Sequence, residues 1–138
     1  MSGLFKFKKD QKGQSVVEFA ILLPILLLLL MGIIQFGIIF SAQIALTNAA
    51  REGARAASVG KTEAEVKKRV IDAIEGHKTL DLVEGNITVD YPDSVGKEVK
   101  VIINDASINL IVPVPDVFVP GNSINIGAKA SMRSEVLP

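Results

Sequence analysis

The sequence predicts an α+β protein: a long N-terminal membrane-spanning helix, then a small domain with one helix and an antiparallel sheet. Three observations carry that prediction. No ionisable side chain occurs between Phe19 and Ala50, a run of 32 residues. A helix-start signal and a helical apolar period follow Gly60. Beyond Ile87, apolar residues recur at every second position, the period of a half-buried strand.

Composition removes several classes of function. The 138 residues include no Cys, so disulfides, thiolate metal sites and Cys nucleophiles are excluded. There is one His, His77, which leaves no basis for a His-rich metal site. Fifteen basic residues balance fifteen acidic ones and aromatics make up 5%, which argues against a nucleic-acid partner. The charge is also segregated. Residues 1–13 hold Lys6, Lys8, Lys9 and Lys12 against Asp10, and the remainder carries a net charge of −3.

The uncharged run gives the first element. Its densest part lies between Ile21 and Phe40, interrupted by Pro24, Gly32, Gln35 and Gly37. About 20 apolar residues as helix cross a hydrocarbon core of ~30 Å, so a span over roughly 19–40 is long enough. A cleaved secretory signal usually has an apolar stretch of only ~7–15 residues. Lysines on the N-terminal flank predict an N-terminus in the cytoplasm and an exported C-terminal region. The helical pattern then outruns the bilayer, because residues 41–58 are rich in helix formers and contain no Pro. A helix over 15–57 would be roughly 65 Å long at ~1.5 Å per residue. Ala42, Ala45, Ala49, Gly53, Ala56 and Gly60 form a small-residue stripe along it, where another helix could approach closely.

Residues 61–138 read as the small domain. Thr62 and Glu65 have the spacing of a capping box. Val66, Val70, Ile71 and Ile74 give one apolar face, with Gly76 as a C-terminal stop. Strand periodicity appears in Ile87, Val89 and Tyr91, in Val99, Val101 and Ile103, and in the series Ile124 to Met132. Pro113, Pro115 and Pro120 exclude a central strand within 108–123, leaving an apolar loop or a broken edge strand. A domain this small needs the long helix to complete its core.

Catalytic chemistry finds no support in these residues. His77 has no nucleophile or carboxylate placed beside it by spacing, and Glu63/Glu65 and Asp90/Asp93 fit solvated positions. There is no Gly-rich phosphate loop and no metal-ligand pattern. The expectation is therefore a non-enzymatic protein with no cofactor.

The informative constellation stands at the start of the apolar run, Lys12-Gly13-Gln14-Ser15-Val16-Val17-Glu18-Phe19. A carboxylate at the edge of a span is costly, and so suggests a function. Cleavage after Gly13 would give Gln14 a free α-amine, cationic near neutrality with a pKa of about 7.7–8. Glu18 could then neutralise that amine within one chain or between neighbours, fixing an axial stagger. Its plainer role is a charge that snorkels to the interface.

These residues resemble the class III signal of type IV prepilins, in which a membrane-embedded prepilin peptidase cuts after the Gly. The longer stretch Gly13 to Gly60 resembles the TadE-like family, minor pilins or pseudopilins of tight-adherence (Tad/Flp) pilus systems. The resemblance lies in Val17-Glu18-Phe19-Ala20, Leu23-Pro24, Phe36-Gly37 and the residues Asn48 to Arg55, with a further likeness in Ala130 to Glu135. It implies a pilin-like architecture, a scissile Gly13–Gln14 bond and Glu18 as the assembly carboxylate. Gln14 departs from pilins whose first mature residue is an N-methylated aromatic. Pro24, Gly32 and Gly37 become helix-bend positions, and Arg51, Glu52 and Arg55 dock the domain or a neighbouring subunit.

The implied partners are the prepilin peptidase, other pilin subunits through helix packing, an inner-membrane assembly platform and, before assembly, membrane lipid. The implied location is a single-pass inner-membrane protein that passes to the pilus or cell surface. Two alternatives stand beside this minor-pilin reading. One is a permanently anchored extracytoplasmic adhesion module, and the other is a major filament-forming pilin.

Overall fold

A computed structural model of the chain describes residues 11–111 and 120–136. Helix α1 spans Gln11–Ser58 without interruption, and α2 spans Glu63–Ile74. Four strands follow: β1 (Leu80–Asp81), β2 (Ile87–Asp90), β3 (Glu98–Asn109) and β4 (Ser123–Arg133). The predicted α+β class, with its long helix, second helix and antiparallel sheet, is what the structure shows. The Pro-rich segment 112–119 lies outside the described residues.

The chain divides into two compact units, residues up to 34 and residues 35–138. In the first, α1 buries almost nothing. An 18-residue apolar stretch of it has no buried residue, and Leu22, Ile25, Leu26 and Leu29 all face outwards. This helix is long and apolar enough to cross a membrane.

In the second unit α1 behaves as a core helix. Ala42, Ala45, Leu46, Ala49, Ala50, Ala54 and Ala57 are buried, following the one-sided period of a packed helix. They meet Val66, Val70 and Ile74 of α2 and Val99, Val101, Ile103 and Ile108 of β3. Burying each larger side chain contributes about 1.5–3 kcal/mol. The small-residue stripe is thus taken up by the chain's own domain. Small side chains permit close approach to a sheet as readily as to a helix, and only the tertiary fold decides which. Gly53 marks the tightest point, since a Cβ there would lie 2.6 Å from Val70 Cγ2.

Strand β3 is the centre of the sheet. β4 pairs with it antiparallel along one edge, while β2 and β1 share the other. Its buried residues change parity halfway, from Val99, Val101 and Ile103 to Ala106 and Ile108. A bulge causes the change: Ile103 pairs with Ala128 but Ala106 with Ile126, so β3 carries one extra residue. Asp105 takes φ 51° within it. Gly127 faces the bulge, where a Cβ would come 2.9 Å from the Ile103 carbonyl oxygen.

Both helix ends are capped. At the end of α1, Gly60 has φ 80°, its N–H donates to Ala57 O, and Lys61 N–H donates to Ala56 O at 3.2 Å. That pair is the Schellman arrangement, so Gly60 ends the helix and does not extend the stripe. The tail returns to the same point, where Glu135 and Val136 N–H both donate to Ser58 O at 2.8 and 3.2 Å. At the start of α2 the Thr62/Glu65 capping box is present in full. Helix α2 ends at Ile74, two residues before Gly76, with its capping residue Glu75 right-handed.

Candidate functional site

The residues singled out by sequence occupy two places. Gly13, Gln14 and Glu18 lie in the first turns of α1 and are exposed. Gln14 Nε2 donates to Glu18 Oε1 at 3.2 Å. The pair is four residues apart, so both side chains lie on one face of the helix, one turn apart.

Gly13, Gly32 and Gly37 share a property. A Cβ at any of them would meet nothing within 4 Å. Glycine inside a helix costs roughly 0.5–1 kcal/mol relative to Ala, and these three gain no internal packing in return. Pro24 also lies inside α1. It has no N–H to offer the carbonyl of Ala20, which loses its helical partner. The helix is nevertheless continuous through Pro24, Gly32 and Gly37.

Arg51, Glu52 and Arg55 are exposed on the second unit. The buried contact between α1 and the domain is made by small apolar residues and Leu46. Glu52 and Arg55 instead line an open cleft of about 610 Å³ with Lys61, Lys68, Arg69 and Asp72. Its walls carry both signs of charge. Glu65, also on the cleft, is tied to Lys61 Nζ at 2.9 Å. That hydrogen bond, with those from the Thr62 backbone and hydroxyl, holds the Glu65 carboxyl below the usual range. Glu63 pairs with Lys67 at 2.6 Å, so both acidic residues at the start of α2 serve the helix.

Two glutamines did not stand out by sequence. Gln35 Oε1 accepts the Ile111 N–H at 3.0 Å, and Gln43 Nε2 donates to Gly127 O at 3.0 Å. Each ties α1 to a segment of the sheet edge. The available signal was a pair of amide side chains inside an otherwise apolar run. Tyr91, read only as a strand residue, donates its hydroxyl to Lys61 O at 2.6 Å and so fixes the turn between the helices. Burial, then the Glu63 and Glu65 charges, raise its phenol above the ordinary value. Among the described residues no three His, Asp or Glu side chains gather as a metal-holding group.

The arrangement defines a class: one N-terminal helix able to cross a membrane, continuing into an α+β unit that packs on its second half. Residues 13–55 match the family model of TadE-like proteins, which is consistent with a component of a Tad pilus system. The match takes in Gly13, Gln14, Glu18 and Arg55, the bounds between which all the singled-out residues fall. No curated protein and no solved structure matches the sequence.

Proposed function

We propose that this chain is a structural pilus component, a minor pilin or pseudopilin without catalytic activity. It is processed by a prepilin peptidase between Gly13 and Gln14 and assembled through the exposed part of α1. The observation that carries the reading is the contrast within one helix: an apolar, unburied first half joined to a second half whose small-residue face is buried by its own domain. Such a first half needs lipid before assembly and neighbouring helices after it.

The placement of Gln14 and Glu18 on one face supports the assembly role of Glu18. Cleavage would replace an amide at Gln14 with an ammonium one helical turn from that carboxylate. An ion pair in a low-dielectric bundle discriminates strongly between axial registers. The open surroundings of Gly13, Gly32 and Gly37 support close approach by molecules outside the chain. Arg51, Glu52 and Arg55, exposed beside a cleft of mixed charge, suit contact with a neighbouring subunit. Secretion or adhesion at the cell surface is the service such a fibre performs.

The test is the N-terminus and intact mass of the protein taken from membranes with and without the peptidase. A start at Gln14 only when the peptidase is present is the expected result. An uncleaved leader in both samples would overturn the processing, and the permanently anchored adhesion module would replace it. In the processed protein, Glu18→Ala is expected to insert and mature normally but to lower pilus incorporation; unchanged incorporation would remove the pairing role.

A further inference from the structure

The membrane-length run and the compact second unit overlap along α1. Counted from Phe19, the first residue beyond the charge at Glu18, about 20 helical residues reach Ile38 before the hydrocarbon core ends. The compact unit already begins at Gln35. Residues 35–38, which open that unit, therefore fall within the membrane-length count.

The chemistry of that end agrees. At the turn of Gln35 the side-chain oxygen accepts the backbone N–H of Ile111. In a region poor in water, a backbone donor needs a partner within the protein, and Gln35 provides one. The Ile111 side chain is 64% exposed. Phe36 and Phe40 are exposed on the adjoining turns, with ring centroids 6.5 Å apart. No charged side chain occurs on α1 anywhere from Phe19 to Ala50. At the other end of the unit the tail closes on Ser58 beside the turn that carries Lys97 and Val95.

We propose that the Gln35 end of the unit is a second membrane contact, with Ile111, Phe36 and Phe40 seated in the boundary between headgroups and acyl chains. Its occupant is the lipid surface, continuous with the lipid around the first half of α1. The inference rests on the reading of that first half as a membrane span. Leaving the membrane must then free this contact as well as the span.

The chain contains no Cys, so single cysteines can be introduced and spin-labelled in the full-length protein. Suitable positions are Ile111→Cys, Val95→Cys as the far-end reference and Leu28→Cys as the span reference, all more than half exposed and so tolerant of a label. The protein is reconstituted at low density in phosphatidylethanolamine–phosphatidylglycerol vesicles. Collision of each label with oxygen, which enters lipid, is compared with collision with a water-soluble nickel chelate. The expected oxygen-to-nickel ratio at 111 is several-fold above that at 95 and below that at 28. Equal ratios at 111 and 95, with 28 lipid-immersed, would overturn the proposal and leave the span standing. If both collision rates fall together at 111, protein covers the patch and the proposal fails. A water-exposed label at 28 would overturn the span and the proposal with it.

Discussion

The two halves of α1 obey different rules although they form one unbroken helix. Residues 13–34 are large and apolar and bury nothing, whereas residues 35–58 are mostly small and pack their buried face on the domain. The glycines follow packing and not the boundary: Gly53 is needed inside the fold because Val70 fills the space of its Cβ, while Gly13 and Gly32 in the first half and Gly37 at the start of the second stand in open surroundings. Size and exposure are thus inverted between the halves. The first half keeps its whole surface for other molecules, and the second has spent one face on its own domain.

Four experiments can break or sharpen that contrast. The largest effect is expected from one truncation made in both halves. Leu46→Ala should destabilise the domain by about 2–5 kcal/mol, since Leu46 is 0% exposed. Leu28→Ala, at a residue 68% exposed, should leave domain unfolding unchanged. Denaturant titration of the full chain in detergent measures both, and equal effects would erase the distinction.

Next comes the glycine pair. Gly53→Ala should cost about 1–3 kcal/mol through overpacking against the stiff, buried Val70. Gly32→Ala should be neutral or slightly favourable for helix stability. On the proposed reading its effect is expected in assembly, read as pilus yield. A Gly53→Ala chain as stable as the parent would show that Val70 yields freely.

A smaller loss, about 1 kcal/mol, is expected from Thr62→Ala, which removes the cap of α2. The same box gives a pH dependence. Because the folded state lowers the Glu65 pKa, its contribution is present above the unfolded value and is lost as pH falls through the folded one. Glu65→Gln should flatten that acid limb in thermal melts, and an unchanged limb would assign it to other carboxylates.

The smallest effect lies at Tyr91, the chain's single tyrosine, where phenolate absorbance reads one group. Its folded pKa is raised, so stability should decline as pH rises past the unfolded value of about 10. The absorbance midpoint should drop on denaturation. A midpoint that does not move would mean that Tyr91 is not held in its half-buried place near Glu63 and Glu65 in solution.

Much of this fold was legible because its signals are local. The Thr62/Glu65 spacing announced α2, and the alternation from Ile124 to Met132 announced β4. The second half of β3 was not legible for a physical reason. The bulge at Asn104–Asp105 moves the apolar residues from odd to even positions, so a single-phase reading stops at Ile103. Strand β1 is two residues long and too short to show a period. The alanine stripe announced close packing but not its partner, because nothing in it distinguishes a neighbouring helix from the chain's own sheet. At the candidate site, the spacing from Gly13 to Glu18 was fully visible. The roles of Gln35 and Gln43 were not, since their partners Ile111 and Gly127 are 76 and 84 residues away.

The return of the tail to Ser58 has a consequence for the order of events in the cell. The seam on α1 is covered by strands that leave the ribosome long after the helix, and the closing bonds from Glu135 and Val136 come last of all. Most of the sheet's partners are remote in sequence, which makes its assembly slow compared with helix formation. On the proposed single-pass reading, transfer of the domain across the membrane and its folding are successive steps. During the interval Leu46 and its neighbouring alanines are uncovered, a period in which a chaperone or a premature neighbour would compete with the chain's own β3 for the same groove.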